Sequence, residues 1–248
     1  MSLNTNALNP DRRKRVLLVA SNTSVSQQTG WPIGAWLAEI VHPYHCFTEA
    51  GYEVVIASPQ GGRIELDGYS DPRDASGYSA GDLLSWGFIS SPTHAALLES
   101  SPVLATQQAA DFDAAFLAGG QAPMYTFRGN EAIARLVLDF WKAGKPVAIV
   151  CHATCILLDL QGPDGELLVK GRTWTGFADV EEQFADGFVG QRIQPFWIET
   201  EAKKLAGTHF ITGGLFRAFA VRDGQLITGQ QQFSGAAAAD LLIEALGR

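Results

Sequence analysis

Four short and largely apolar runs mark the first part of this chain. They lie at residues 16–20, 52–59, 112–117 and 147–150 and contain β-branched or aromatic side chains. Continuous apolar runs, unlike alternating ones, are typical of strands that are buried on both faces of a parallel sheet. The pattern therefore predicts four parallel strands.

Helical patterns lie between and after these strands. Residues 32–50 form a predicted helix that Gly51 ends, residues 130–142 have an amphipathic pattern, and residues 236–246 form a terminal helix. Alternating strands and helices predict an α/β fold in which helices cover both faces of a mostly parallel sheet. Ligand-binding residues should then collect at the carboxyl ends of the strands.

Other parts of the chain have weaker signals. Residues 61–110 are too long for a simple connection, and their Gly, Ser, Pro and Asp content predicts a loop insertion with a short helix, of the kind that forms lids or interfaces. Farther on, the sequence predicts a strand at 171–175, a helix at 179–184 and a hairpin turn at 222–225.

Composition narrows the classes of function. The chain has 248 residues, of which 46% are hydrophobic, so we expect one α/β domain over residues 15–248 after a flexible arm at residues 1–14. A net charge of -8 argues against binding to nucleic acid or to an anionic membrane. No apolar run reaches the roughly 20 residues that cross a bilayer, and residues 1–15 lack the apolar segment of a signal peptide. We expect a cytoplasmic protein without a disulfide framework, whose partner is a small molecule or a protein.

Candidate chemistry centres on Cys151-His152, at the junction of the strand at 147–150 and a helix-like segment. A sharp strand-to-helix turn exposes a nucleophile above the sheet, while the helix supplies amide N–H groups and the positive end of its dipole. A helix N-terminus can lower a cysteine pKa from about 8.5 to roughly 3.5–7.5, which predicts a partly ionised thiol. The alternative is a buried structural cysteine, which is common at strand ends.

Six segments, taken in order along the chain, resemble the ThiJ/PfpI superfamily of the class I glutamine amidotransferase-like fold, and most closely its glyoxalase III and heat-shock chaperone branch. They are Thr29-Gly30 with residues 39–44, then residues 50–62, 117–120, 148–152, 170–182 and 223–230. The resemblance implies a flavodoxin-like parallel sheet sandwiched between helices, with a nucleophile elbow. It also implies that the chain needs no cofactor and no metal.

The resemblance implies a role for each of four side chains. Cys151 would be the nucleophile and His152 the general acid/base. Glu182 would orient the imidazole of His152, with the adjacent Glu181 as an open alternative. Glu39 would place a carboxyl group beside the sulfur, where a neighbouring negative charge should raise its pKa.

Backbone groups complete the implied site. Gly120, with Gly119 before it, would let a backbone amide approach the substrate as an oxyanion donor, together with the amide of His152. Cys155 and Cys46 are expected to be buried packing residues. His42, His45 and His94 form no recognisable metal motif.

The chain departs from the family pattern at two places. Ala153-Thr154 stands where Gly-Pro is common after the nucleophile and its histidine, which should slightly relax the contact between helix and strand. Residues 231–235 replace the usual final motif, so the contacts of this loop with substrate or a second subunit stay open. We expect Phe233 in this loop to form a wall of the pocket.

The resemblance implies a glutathione-independent glyoxalase that converts methylglyoxal or related 2-oxoaldehydes to 2-hydroxy acids through a cysteine hemithioacetal. Another cysteine hydrolase or deglycase of the same superfamily is a variant of this hypothesis. A different class is a non-enzymatic stress protein, either a holdase chaperone or a redox sensor in which Cys151 is oxidised. The complete set of Cys151, His152 and Glu182 favours the enzyme, because a sensor needs no oriented proton shuttle. A homodimer acting on a small carbonyl compound is expected.

Overall fold

A six-stranded sheet lies at the centre of the protein, for which a computed structural model describes residues 13–247. The predicted arm therefore lies almost wholly outside the described residues. The strands are β1 (Arg15–Val19), β2 (Ser24–Val25), β3 (Pro32–Ile33), β4 (Glu53–Ala57), β5 (Ala114–Leu117), β6 (Val147–Val150), β7 (Thr173–Trp174), β8 (His209–Phe210), β9 (Ala220–Asp223) and β10 (Leu226–Gly229). Strand order in the central sheet is β4-β1-β5-β6-β10-β9.

The four predicted parallel strands are confirmed as β1, β4, β5 and β6. Strand β1 pairs in parallel with β4 and β5, and β6 pairs in parallel with β5 and β10. Every residue of β5 and β6 is buried, as the continuous apolar runs require. The predicted hairpin is also present: β9 and β10 are antiparallel and are joined through Gly224, at φ 64°.

Helices flank the sheet. They are α1 (Leu37–Glu49), α2 (Leu83–Ser90), α3 (Pro92–Glu99), α4 (Pro123–Thr126), α5 (Glu131–Lys142), α6 (Asp179–Val189), α7 (Ile198–Ala202) and α8 (Gly235–Ala245). Helix α8 packs on β6 and β10 and against α1, while α5 packs on β5 and β6. This parallel-dominant, helix-flanked sheet is the predicted flavodoxin-like α/β fold.

Two helix boundaries differ from the prediction. Helix α1 begins at Leu37 rather than at residue 32, because Pro32–Ile33 pairs with Ser24–Val25 as a two-stranded ribbon. Helix α6 continues to Val189, beyond the predicted end at 184, and stops where Gly190 adopts a left-handed conformation. By contrast, α5 starts where predicted, because the Asn130 side chain accepts hydrogen bonds from the first-turn amides.

The segment at 61–110 contains more structure than the short helix expected there. Helices α2 and α3 occupy its middle, and α2 packs against α1. The Asp82 carboxylate caps α2 and pairs with His42 on α1, 2.9 Å away. The segment is thereby anchored to the helix that carries Glu39. Among the residues described, no helix is long and apolar enough to span a membrane.

Candidate active site

Cys151 lies at the carboxyl end of β6 and is the first residue of a 3-10 helix, Cys151–Leu158. Its φ of 57° places it in the left-handed region, which is strained for a residue with a side chain. The Thr154 hydroxyl donates to the Cys151 carbonyl oxygen over 2.6 Å and closes this turn. The predicted elbow is present, although the helix that follows it is 3-10.

His152 connects the thiol to a carboxylate. Its Nδ1 lies 3.5 Å from the Cys151 Sγ, and its Nε2 lies 3.1 Å from Oε1 of Glu182. The imidazole is buried and stacks on the Phe177 ring, with centroids 4.1 Å apart. Burial acts to lower the pKa of His152, but the Glu182 carboxylate raises it, and the net direction is upward.

The two adjacent glutamates of α6 face different partners. Glu182 contacts His152, as the preferred register predicts. Glu181 accepts hydrogen bonds from the Phe216 amide at 2.9 Å and from the Gln230 side chain at 2.8 Å. The structure therefore brings Glu182, and not Glu181, to the imidazole, while Glu181 joins α6 to the end of β10.

Glu39 points from the first turn of α1 to the sulfur. It is fully buried, accepts a 2.7 Å hydrogen bond from the Gly119 amide, and interacts with the Cys151 thiol. Burial raises the pKa of Glu39 to about 7, against the opposing effect of its hydrogen bonds. The carboxyl group can therefore both hold and release a proton near neutral pH. The pKa is raised as expected, but its main cause is burial and not a neighbouring negative charge.

The expectation of a lowered cysteine pKa is wrong. Burial raises the pKa of the Cys151 thiol well above its usual value, and the nearby Glu39 carboxylate raises it further. Amide N–H groups of Gly120 and His152 point to the sulfur and have the opposite, smaller effect. In the resting protein, Cys151 and Glu39 are therefore coupled, and ionisation of one disfavours ionisation of the other.

The glycine pair after β5 forms the close wall of the site. A Cβ on Gly119 would lie 2.7 Å from Cys151 Cβ and 2.8 Å from the Glu39 carboxylate. Gly120 has φ 104°, and a Cβ there would lie 2.5 Å from the Trp36 amide nitrogen. Only glycine fits these positions, which lets the Gly120 amide reach the sulfur.

Asp67 is a buried carboxylate that sequence reasoning missed. Its two oxygens accept hydrogen bonds from the Gly34 and Gln121 amides, at 2.8 and 2.7 Å. Burial raises its pKa to about 6. Asp67 thus fixes the backbone that precedes α1 to the backbone that follows Gly120. The one signal in the sequence was an acid between Leu66 and Gly68, within the segment interpreted as an insertion.

Cys151 and His152 line a cavity of about 480 Å³. Phe233, expected in its wall, is absent from the lining among the described residues and is 48% exposed. Gln232 lines the cavity instead, and its side chain donates to the Tyr78 hydroxyl at 3.2 Å. The cavity's aromatic lining residues are Trp31, Trp36, Tyr69, Tyr78, Phe177, Phe184, Phe188 and Phe216.

The remaining cysteines and histidines lie outside this arrangement. Cys155 is buried as expected, with its thiol donating to the Pro123 carbonyl oxygen at 3.5 Å. Cys46 packs against the core but is only half-buried, so the expectation of full burial is wrong there. Within residues 13–247, no group of His, Cys, Asp and Glu side chains is arranged to hold a metal ion.

Fold and site together define an α/β protein of flavodoxin-like topology with a cysteine and a histidine at a strand-to-helix elbow. The DJ-1/PfpI family model matches residues 34–245. The chain therefore belongs to the DJ-1/PfpI family.

Sequence identity to individual relatives is about 25%. The chain is 25% identical over 235 residues to Glyoxalase 3 of Candida albicans, covering 94% of this chain and 98% of the relative. It is also 25% identical over 238 residues to the glutathione-independent glyoxalase HSP31 of Saccharomyces cerevisiae, with coverage of 94% and 98%. These relatives match over nearly their whole length.

Solved structures agree with the fold. The crystal structure of glyoxalase III from Candida albicans superposes with a TM-score of 0.77 at 25% identity, covering 94% of this chain and 97% of that one. The Rapid Encystment Protein of Francisella tularensis superposes with a TM-score of 0.83 at 24% identity, covering 95% and 100%.

Proposed function

We propose that this protein is a glutathione-independent glyoxalase that converts 2-oxoaldehydes to 2-hydroxy acids through a hemithioacetal on Cys151. The observation that carries the proposal is the buried series of contacts from Cys151 through His152 to Glu182, with the Glu39 carboxyl group also beside the sulfur. Relatives named as glyoxalases support it at the level of the family. The substrate would be a small carbonyl compound, and the reaction would need neither cofactor nor metal.

The first step is addition of sulfur to the aldehyde. Because the pKa of the thiol is raised, Cys151 must lose its proton as it reacts, and the Glu39 carboxylate is the adjacent acceptor. A bond forms between Sγ and C1, and the carbonyl oxygen takes up a proton to complete the hemithioacetal. The amides of Gly120 and His152, which point to Sγ, would stabilise negative charge on this oxygen.

The second step moves hydrogen between carbons. His152, held by Glu182, removes the C1 proton while the C2 oxygen gains a proton, which gives an enediol. A proton is then returned to C2 as the C1 hydroxyl loses its own proton, which leaves a thioester at C1 and a hydroxyl group at C2. Water then attacks the thioester, and the C–S bond breaks. The 2-hydroxy acid leaves, and the thiol is restored. In sum, one water is added and the substrate is oxidised at C1 and reduced at C2.

Burial weighs against the redox-sensor alternative. Sensor cysteines are typically accessible thiolates of low pKa, whereas Cys151 is 2% exposed and its pKa is raised. An oriented imidazole would also have no use in a protein that only records oxidation. The deglycase alternative shares the same residues and differs in substrate.

The test is conversion of methylglyoxal to lactate without glutathione. We expect lactate from the reduced protein, loss of its formation in Cys151→Ala, and retention in Cys46→Ala, which removes a thiol outside the cavity. Absence of lactate from intact, reduced protein would contradict the proposal. Equal activity in Cys151→Ala would contradict the role of the cysteine.

We also propose that the active form is a homodimer in the cytoplasm, as the resemblance implies. Sedimentation velocity at several concentrations would measure the mass of the species in solution. A monomer at all concentrations that retain activity would contradict the dimer.

A further inference from the structure

The cavity above Cys151 is far larger than a three-carbon substrate requires. Its volume of about 480 Å³ falls in the range of roughly 300–1,000 Å³ typical of pockets for drug-sized ligands. Methylglyoxal would occupy only the floor, beside the sulfur and the imidazole. The upper part of the cavity therefore has a size that the proposed chemistry does not explain.

Connected aromatic rings form much of the upper wall. The Tyr78 ring contacts Trp36 edge-on, with centroids 5.9 Å apart, and contacts Tyr69 at 6.1 Å. Tyr69 in turn contacts Phe188 at 6.2 Å. These rings come from the residue just before α1, from the 61–110 segment and from α6, so three separate parts of the chain bring aromatic side chains to one space. Their edge-to-face contacts hold the rings in fixed orientations.

Several of these rings remain accessible. Phe188 is 66% exposed, Phe184 is 50% exposed and Tyr78 is 44% exposed. Clustered apolar side chains that face solvent around a pocket mark a binding site, because a ligand that covers them removes apolar surface from water.

The charges of the lining restrict the ligand further. Asp67, Asp74 and Glu182 line the cavity, and none of its lining residues within the described chain is Lys or Arg. A carboxylate or phosphate on the substrate would find no lysine or arginine there to pair with. The lining therefore favours an uncharged substrate with a large apolar part.

We propose that the site takes 2-oxoaldehydes whose ketone carbon carries an aromatic ring, in preference to methylglyoxal. This inference rests on the proposed function and specifies its substrate class. The aldehyde lies at Cys151, and the ring of the substrate lies among the aromatic side chains of the lining, which include Trp36, Phe184 and Phe188. For phenylglyoxal the reaction adds one water and gives mandelate. As in the mechanism above, C1 loses its hydrogen and C2 gains one.

The experiment compares initial rates with phenylglyoxal and methylglyoxal, measured as mandelate and lactate in the absence of glutathione. We expect kcat/KM for phenylglyoxal to be about 10- to 100-fold higher, because the ring is buried among apolar side chains. Cys151→Ala should abolish formation of both products.

A pair of variants tests whether the aromatic wall is responsible. Phe184→Ala removes a half-exposed ring from the lining, and we expect it to lower the ratio of the two kcat/KM values about 5-fold or more. Phe233→Ala removes a ring of similar exposure outside the lining, and the ratio should not change. If the loss of Phe184 disturbs the nearby Glu182, kcat/KM should change equally for both substrates, so this effect cancels in their ratio.

The outcomes separate the two proposals. Turnover of methylglyoxal that equals or exceeds turnover of phenylglyoxal overturns the aromatic preference and leaves the glyoxalase intact. An equal change of the kcat/KM ratio in Phe184→Ala and in Phe233→Ala would also overturn the aromatic preference. No turnover of either aldehyde overturns both proposals together.

Discussion

At the scale of single residues, the site brings together titratable groups whose pKa values are shifted by burial and by neighbouring charges. Burial raises the pKa of Glu39, of Asp67 and of Cys151, while Glu182 raises the pKa of His152. Groups whose protonation changes near neutral pH are suited to moving protons, and such perturbed groups concentrate at functional sites. The pKa values at this site therefore belong to the coupled cluster of groups and not to single residues.

The adjacent glutamates of α6 provide a matched comparison. Glu182→Gln removes the charge that orients and stabilises the His152 imidazole, and we expect kcat to fall about 100-fold or more. Glu181→Gln keeps the His152 contact and should change kcat less than about 3-fold. Steady-state rates with the better 2-oxoaldehyde measure both. A larger loss in Glu181→Gln would mean that the proton shuttle is wrongly assigned.

Glu39 should make stability depend on pH. The folded protein keeps the Glu39 proton up to about pH 7, whereas the unfolded chain loses it near 4.5, so the folded state binds more protons between these values. Protonation of Glu39 therefore adds on the order of 3 kcal/mol to the free energy of unfolding. This contribution is fully present below pH 4.5 and is lost as the pH rises through about 7.

The measurement is the free energy of unfolding of wild type and Glu39→Gln between pH 4.5 and 8. We expect the wild type to lose stability relative to the variant as pH rises, since glutamine does not titrate. Parallel pH profiles would show that Glu39 has an ordinary pKa. Because the comparison is a difference between two proteins, titratable groups far from Glu39 cancel to first order.

At the scale of elements, the nucleophile turn is held against the segment before α6. A Cβ on Gly176 would lie 2.2 Å from the Thr154 hydroxyl oxygen and 3.1 Å from its Cβ. The threonine therefore fills the space that glycine leaves open. This contact is separate from the one between helix and strand at the elbow, whose slight relaxation by Ala153-Thr154 stays a prediction.

This contact predicts a specific coupling. Gly176→Ala should reduce the free energy of unfolding by about 1–3 kcal/mol through overpacking, and Thr154→Ala by about 1 kcal/mol through loss of its hydrogen bond to Cys151. The double variant should be more stable than the sum of the two losses implies, by about 1 kcal/mol. Urea titrations of the four proteins measure it, and strict additivity would contradict the packing.

Elements with strong local patterns were predictable, and those that depend on distant partners were not. Strand β6 and helix α5 have an unbroken apolar run and an amphipathic, capped pattern, so local sequence defines them. Strand β3 has two residues, and its existence depends on pairing with β2. Cys151, Glu39 and Glu182 lie in recognisable sequence motifs, so they could be predicted as site residues. Asp67 and the aromatic wall could not be predicted, because their places in the site depend on contacts between distant segments.

At the scale of the whole molecule, one continuous core joins the strands and helices. Buried side chains from β1 through α8 belong to a single hydrophobic cluster. The prediction of one domain over residues 15–248 still requires a test. We expect urea unfolding to be a single transition, with far-UV circular dichroism and tryptophan fluorescence giving the same midpoint. Two separated midpoints would mean that part of the chain folds on its own.

The position of β10 has a consequence for how the site forms during synthesis. This strand is late in the sequence, yet it lies between β6 and β9, and the Gln230 that follows it binds Glu181. Gln232 reaches Tyr78, which is 154 positions earlier. Such long-range contacts form slowly, because distant segments must meet first. A nascent chain therefore has the Cys151 thiol long before the pocket around that thiol is complete.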